Sequence, residues 1–117
     1  MYIADGKTNG PAFSWPDGKR IAVMVTFDYD AEFLRISRAK SKGTSIGFTD
    51  FSRGQYGPHE GLARCLDMLD TMNIKSTFFV PGAVIETYRD TVEEIHRHGH
   101  ELACHGYRHE SDPELSR

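Results

Sequence analysis

The sequence predicts an α/β fold with parallel strands, because three short apolar runs alternate with segments of helical periodicity. The runs lie at residues 20–27, 75–80 and 100–104. Between them, apolar residues recur every three or four positions, which indicates helices that bury one face. The resulting β-α-β-α-β order implies parallel strands joined by right-handed crossovers.

Two acidic residues follow the first predicted strand. The run 20–27 is nearly continuous in apolar and β-branched residues, which is typical of a strand buried on both faces. It leads directly into Asp28 and Asp30, with Tyr29 between them. Ligands of parallel α/β folds bind at the carboxyl ends of the strands, so we expect these two acids at a binding site.

The segments between the strands carry turn and cap signals. Residues 33–57 are rich in Ser, Gly, Lys and Arg and are too long for an ordinary connection, which predicts a functional surface loop or lid. The next helix is expected to have Gly57 at its cap and Pro58 at its first position. Asp90 and Glu93 form a capping-box pattern at the start of a second helix.

Composition excludes several classes of partner. The chain has 117 residues, enough for one modest domain, and a net charge of −3 without a basic run. Nucleic acid and anionic membranes are therefore not expected as partners. The N-terminus lacks the apolar core of a signal peptide, and no apolar run is long enough to cross a bilayer. A cytoplasmic protein is expected.

Near the C-terminus, two histidines have the spacing of metal ligands. His105 and His109 are four residues apart, so on one helical turn they would share a face. With Asp30 as third ligand they would suit Zn²⁺, and would also accept Co²⁺, Ni²⁺ or Fe²⁺. Asp28 could then act as general base toward a metal-activated water.

Each of these assignments has a structural alternative. Paired acids after a strand are often turn formers, and two histidines at this spacing can lie on a solvated surface. The remaining histidines are weaker ligand candidates, because Gly99 should separate His96 from His100, and His98 suits a helix C-terminus. His59 is expected to be a solvated residue of a first helical turn.

Three motifs of the sequence resemble the polysaccharide deacetylase family, also called the NodB-homology or carbohydrate esterase 4 family. They are Thr26-Phe-Asp-Tyr-Asp-Ala-Glu32, Thr77-Phe-Phe-Val-Pro-Gly82 and Gly99-His-Glu-Leu-Ala-Cys-His-Gly-Tyr-Arg-His-Glu110. The subgroup with peptidoglycan deacetylase-like and cyclic amide hydrolase-like members is the most similar.

The resemblance implies the N-terminal part of a distorted (β/α) barrel and a divalent metal, expected to be zinc. It implies that Asp28 is the catalytic base and that Asp30, His105 and His109 bind the metal. Tyr56 and Tyr107, which lie in matching stretches, are expected to contact substrate. The whole chain, residues 1–117, is expected to be one deacetylase domain truncated after its HxxxH motif.

The family's later motifs supply an Arg that orients the base, groove residues and a His that acts as general acid, and none of these is present. Three functions stay open. The first is hydrolysis of non-peptide amide bonds, with an N-acetylated amino sugar or peptidoglycan-type carbohydrate as substrate. The second is opening of a cyclic amide or ureide, and the third is an inactive metal-binding fragment. An open sheet edge would favour self-association, so a homo-oligomer is expected.

Overall fold

A computed structural model describes residues 14–110, in which three parallel strands form one sheet with the order β1-β2-β3. The predicted α/β fold with parallel strands is confirmed. The strands are β1 (Thr26–Asp28), β2 (Thr77–Val80) and β3 (Glu101–Cys104). The helices are α1 (Phe33–Ser41), α2 (Phe48–Tyr56), α3 (Leu62–Thr71), α4 (Gly82–Thr87) and α5 (Arg89–Arg97).

The core lies on one face of the sheet. Phe78 and Val80 alternate with the half-buried Thr77 and Phe79, so they point to the face that the helices cover. Both crossover connections place their helices on this same side, as right-handed connections between neighbouring parallel strands require. The helical residues that complete the core cluster are Leu62, Leu66, Leu69, Val84, Val92 and Ile95.

The first strand is shorter than predicted, and the run that precedes it is exposed. Only Thr26–Asp28 pair with β2, and Ile21, Val23 and Met24 are 76%, 79% and 89% exposed. The prediction that residues 20–27 are buried on both faces is therefore wrong. In the described residues β1 has one neighbouring strand, and that neighbour begins opposite Thr26. Apolar composition shows which side chains are able to be buried, but burial also needs a partner surface.

Residues 33–57, predicted as a surface loop or lid, contain the two helices α1 and α2 instead. Arg35 of α1 pairs with Asp50 of α2, with 3.2 Å between Nη1 and Oδ1. Gly54 of α2 lies directly on the backbone of Glu32, where a Cβ would overlap the Glu32 Cα. The Glu32 carboxylate is buried, and the Tyr88 hydroxyl lies 3.0 Å from both of its oxygens. The segment is thus anchored to the core.

Both helix starts predicted from cap signals are wrong. Helix α2 runs without interruption through a π-helical turn, Gly57–Gly61, into α3, so no helix begins at Gly57. Helix α5 follows α4 after a single residue, and Tyr88 therefore occupies the cap position that was expected for Asp90. In both cases a preceding helix continues into or almost up to the expected start, and a local cap motif contains no information about that helix. Among the described helices none is both long and apolar enough to span a membrane.

The contact between Gly54 and Glu32 can be tested by adding a methyl group. We expect Gly54→Ala to lower the free energy of unfolding by about 1–3 kcal/mol, because α2 must move away from Glu32. Gly47→Ala is the matched control, since a Cβ there meets open space, and it should cost less than about 1 kcal/mol. Urea unfolding of the three proteins measures the difference. Equal losses in both variants would contradict the packing described.

His98, the residue after α5, links that helix to α3. Its Nδ1 lies 2.6 Å from Asp70 Oδ2, and its Nε2 lies 3.2 Å from Glu94 Oε1. Both ring nitrogens can donate only when the imidazole is protonated. The hydrogen bond to Asp70, with a smaller contribution from Glu94, accordingly raises the pKa of His98 above its ordinary value.

This arrangement predicts a pH dependence of stability. Because the pKa of His98 is higher in the folded than in the unfolded protein, its contribution is complete below about pH 6.5 and is lost as pH rises through the folded pKa. We expect the melting temperature of the parent, relative to His98→Gln, to be highest below about pH 6.5 and to fall as the pH rises above it. His96→Gln, at an exposed position of α5, should keep the parent profile. A constant difference between parent and His98→Gln would contradict the prediction.

Candidate metal centre

Asp30, His105 and His109 converge at the carboxyl end of the sheet. Asp30 Oδ1 lies 3.5 Å from His105 Nε2, and Asp30 Oδ2 lies 3.8 Å from His109 Nε2. The two imidazole rings meet edge to face with 4.7 Å between centroids. One potential ligand atom from each residue lies within 4.8 Å of the others, and residues 14–110 contain no second group of this kind. The structure therefore brings together all three residues that were predicted as ligands.

Tyr29 directs the two acids away from the core. Its backbone N–H donates to the Phe79 carbonyl at 2.8 Å, and its hydroxyl donates to Thr91 Oγ1 at 2.8 Å. The ring is buried, and this burial raises the pKa of Tyr29 to about 12. Neighbouring residues of an extended chain point to opposite sides, so burying Tyr29 turns Asp28 and Asp30 outward.

The two histidines converge through a turn rather than through the helical turn that was predicted. Residues 105–109 contain no helix, and the backbone is left-handed at Gly106 (φ 71°) and at His109 (φ 59°). The carbonyls of Gly106 and Tyr107 accept hydrogen bonds from the first two N–H groups of α4, at 3.0 and 2.8 Å. These N–H groups have no partner inside their own helix, so the loop carbonyls supply the hydrogen-bond acceptors that the start of α4 lacks.

The polar atoms of the centre are incompletely paired by the protein. Burial raises the pKa of Asp30 and Asp28 adds to the rise, whereas His109 and His105 act in the opposite direction. Asp30 Oδ1 and His105 Nε2 are both buried without a hydrogen-bond partner. Buried polar atoms are nearly always paired, and one carboxylate with two imidazoles is a donor set of catalytic zinc sites. The residues present therefore fit a divalent metal.

The other predicted site residues are all exposed to solvent. Asp28 is the exposed last residue of β1. Tyr56 is half-exposed at the end of α2, and Tyr107 is half-exposed with its hydroxyl donating to Glu86 Oε2 at 2.7 Å. The roles of Asp28 in catalysis and of the two tyrosines in substrate binding stay predictions.

Three residues that support the centre were not identified from the sequence. Tyr29 could have been identified from the sequence. An aromatic residue between two acids in a strand-like run indicates that its side chain points to the opposite side of the chain from theirs. Glu32 and Ser37 could not have been identified, since their partners Tyr88 and His109 are 56 and 72 residues away. Contacts at such separations are set by the tertiary fold.

The chain is similar to known deacetylases over most of its length. The family model for polysaccharide deacetylases matches residues 16–117. A peptidoglycan deacetylase of Helicobacter pylori is 37% identical over 93 residues, which cover 80% of this chain and 31% of the relative. A peptidoglycan deacetylase-like protein of Gibberella zeae is 31% identical over 99 residues, which cover 83% of this chain and 29% of the relative.

A solved structure agrees with both sequence relatives. The crystal structure of a Mycobacterium smegmatis protein assigned as a polysaccharide deacetylase superposes with a TM-score of 0.77 at 40% identity, covering 93% of this chain and 37% of that one. The chain thus spans about a third of the length of the relatives it matches. On its motifs, its fold and these similarities, the chain belongs to the polysaccharide deacetylase family.

Proposed function

We propose that this chain forms the metal-binding part of a hydrolase that removes N-acetyl groups from an amino-sugar polymer. The observation that carries the proposal is the cluster of Asp30, His105 and His109, in which two buried polar atoms have no hydrogen-bond partner. The names of the two peptidoglycan deacetylase relatives support a peptidoglycan-type carbohydrate as the substrate class.

We also propose that the three strands are part of a distorted (β/α) barrel. Two features support this. The helices of the core pack on one face of the sheet, as in a barrel, whereas an open doubly wound sheet has helices on both faces. The exposed apolar residues beside β1 and on β3, among them Val23 and Leu102, would contact further barrel elements.

Asp30, His105 and His109 would hold the ion, and their oxygen and two nitrogens suit Zn²⁺. A zinc ion in such a site lowers the pKa of water and polarises a carbonyl oxygen. The chain's own acid for proton transfer is Asp28, whose exposed carboxylate at the end of β1 can accept a proton from an attacking water. Tyr56 and Tyr107, which are 53% and 46% exposed, would contact the sugar.

Two substrate assays on the zinc-loaded chain distinguish the candidate functions. Acetate release from an N-acetylglucosamine oligosaccharide supports the proposal. Ring opening of a cyclic imide without acetate release would replace it with cyclic amide hydrolysis. Zinc binding without turnover of either substrate would show that the chain binds metal but lacks a group that the reaction requires, such as the general acid.

The ligand assignment predicts which substitutions remove the metal. We expect the parent chain to bind about one Zn²⁺, and Asp30→Ala and His105→Ala each to weaken binding by more than about 100-fold. His96→Ala is the matched control, because this histidine is exposed on α5 and should leave binding unchanged. Elemental analysis and competition with a chelating dye measure the effect. Full metal content in both ligand variants would contradict the site.

The role of Asp28 predicts a variant that keeps its metal and loses turnover. Asp28→Asn preserves the size of the side chain but removes the proton acceptor. We expect acetate release to fall about 10²–10⁴-fold while zinc content stays at the parent level. Asp67→Asn, an exposed acid of α3, should leave both quantities unchanged. Parent-level turnover in Asp28→Asn would assign the base to another residue.

A further inference from the structure

Helix α1, which lies in the segment between β1 and β2, touches the loop that carries the candidate ligand His109. The Ser37 hydroxyl of α1 donates to the His109 carbonyl oxygen at 2.8 Å, in a half-buried position. This is a contact between residues 72 positions apart, so it connects two separate parts of the fold. It is also a contact with the backbone of the ligand residue, not with its imidazole ring.

The conformation of His109 explains why such a contact matters. Its φ of 59° lies in the left-handed region, which is unfavourable for a non-glycine residue and is held here by surrounding contacts. The direction of the Cα–Cβ bond, and hence the placement of the ring, follows from this backbone conformation. A hydrogen bond that fixes the carbonyl of His109 therefore fixes the direction of the side chain.

The two halves of the His105–His109 loop are held by different partners. The N–H groups at the start of α4 bind the carbonyls of Gly106 and Tyr107, which secures the half next to His105. At the other end, Glu110 Oε2 accepts the Arg108 N–H at 2.7 Å, a local contact with the residue that follows the loop. Ser37 supplies the hydrogen bond from outside the loop to His109.

Helix α1 provides a firm support for this hydrogen bond. The residue that precedes it, Glu32, is buried, bound by the Tyr88 hydroxyl and covered by Gly54. The exposed Arg35–Asp50 ion pair adds a weaker contact between α1 and α2. Ser37 therefore projects from a helix whose start is anchored to the core.

We propose that Ser37 is a positioning residue that holds His109 in its metal-binding conformation. The segment between β1 and β2 is then part of the support of the metal centre, in addition to any role in covering substrate. This inference rests on the proposed metal site. Ser37 is not itself a proposed ligand. The effect of replacing it can therefore be measured as a change in metal affinity and ligand geometry, without an activity assay.

The test compares Ser37→Ala with two further variants of α1. Ser37→Thr keeps the hydroxyl. Ser41→Ala removes a hydroxyl of the same helix that donates to the Ser37 carbonyl, one turn back along α1. The measurements are the Kd for Zn²⁺ and for Co²⁺, the visible absorption of the Co²⁺ protein, and the melting temperature of the metal-free protein. The Co²⁺ spectrum reports ligand geometry, which general helix stability does not change.

We expect Ser37→Ala to raise the metal Kd about tenfold and to alter the Co²⁺ absorption band. Ser37→Thr should restore both, Ser41→Ala should match the parent, and the metal-free melting temperatures of the two alanine variants should agree. If the parent binds metal and Ser37→Ala has the same Kd and spectrum, the role of Ser37 is overturned and the proposed metal site stands. A loss that Ser41→Ala reproduces, or that Ser37→Thr does not rescue, would also overturn it. A parent chain that binds no metal would overturn the proposed metal site as well.

Discussion

Parallel pairing of β1 and β3 with the central strand β2 is the constraint on which the candidate centre depends. Asp28, Phe79 and Ala103 lie side by side in the register of the sheet. Asp30 and His105 each follow this row by two residues, so their backbones reach the same level. The outer strands are separated by two strand spacings, about 10 Å, which an Asp and a His side chain extending from opposite sides can bridge. A shift of either strand by one residue would reverse the direction of its ligand.

The proposed metal ion would couple binding to folding at this site. Asp30 is largely buried, and its pKa is raised even though two imidazoles lie beside it. Without a cation, the folded chain holds a desolvated carboxylate oxygen that no hydrogen bond compensates. An ion that binds only the folded state would remove this cost and add its binding free energy to stability. The site is thus poorly satisfied by protein atoms alone.

The sequence was informative where local pattern decides the structure. Strands β2 and β3, the acids after β1 and the grouping of Asp30, His105 and His109 could be predicted, because strand composition is local and the motifs are family features. Burial of the run 20–27 could not, since it depends on a neighbouring strand, and the helices α1 and α2 were hidden by a composition rich in glycine and serine. Histidine adopts a left-handed backbone more often than most residues, but its occurrence at His109 depends on contacts made by the fold.

The π-helical turn between α2 and α3 determines which residues of both helices face the core. Buried residues recur there at an interval of four, at Gly54, Pro58, Leu62 and Leu66. In a regular α-helix each interval of four would drift by about 40° around the axis, and the wider turn absorbs most of this drift. Straightening the turn would carry Gly54 about 100° away from Glu32. If the turn became α-helical by losing one residue, the buried faces of α2 and α3 would stay aligned. The packing of this segment therefore depends more on the number of residues per turn than on its length.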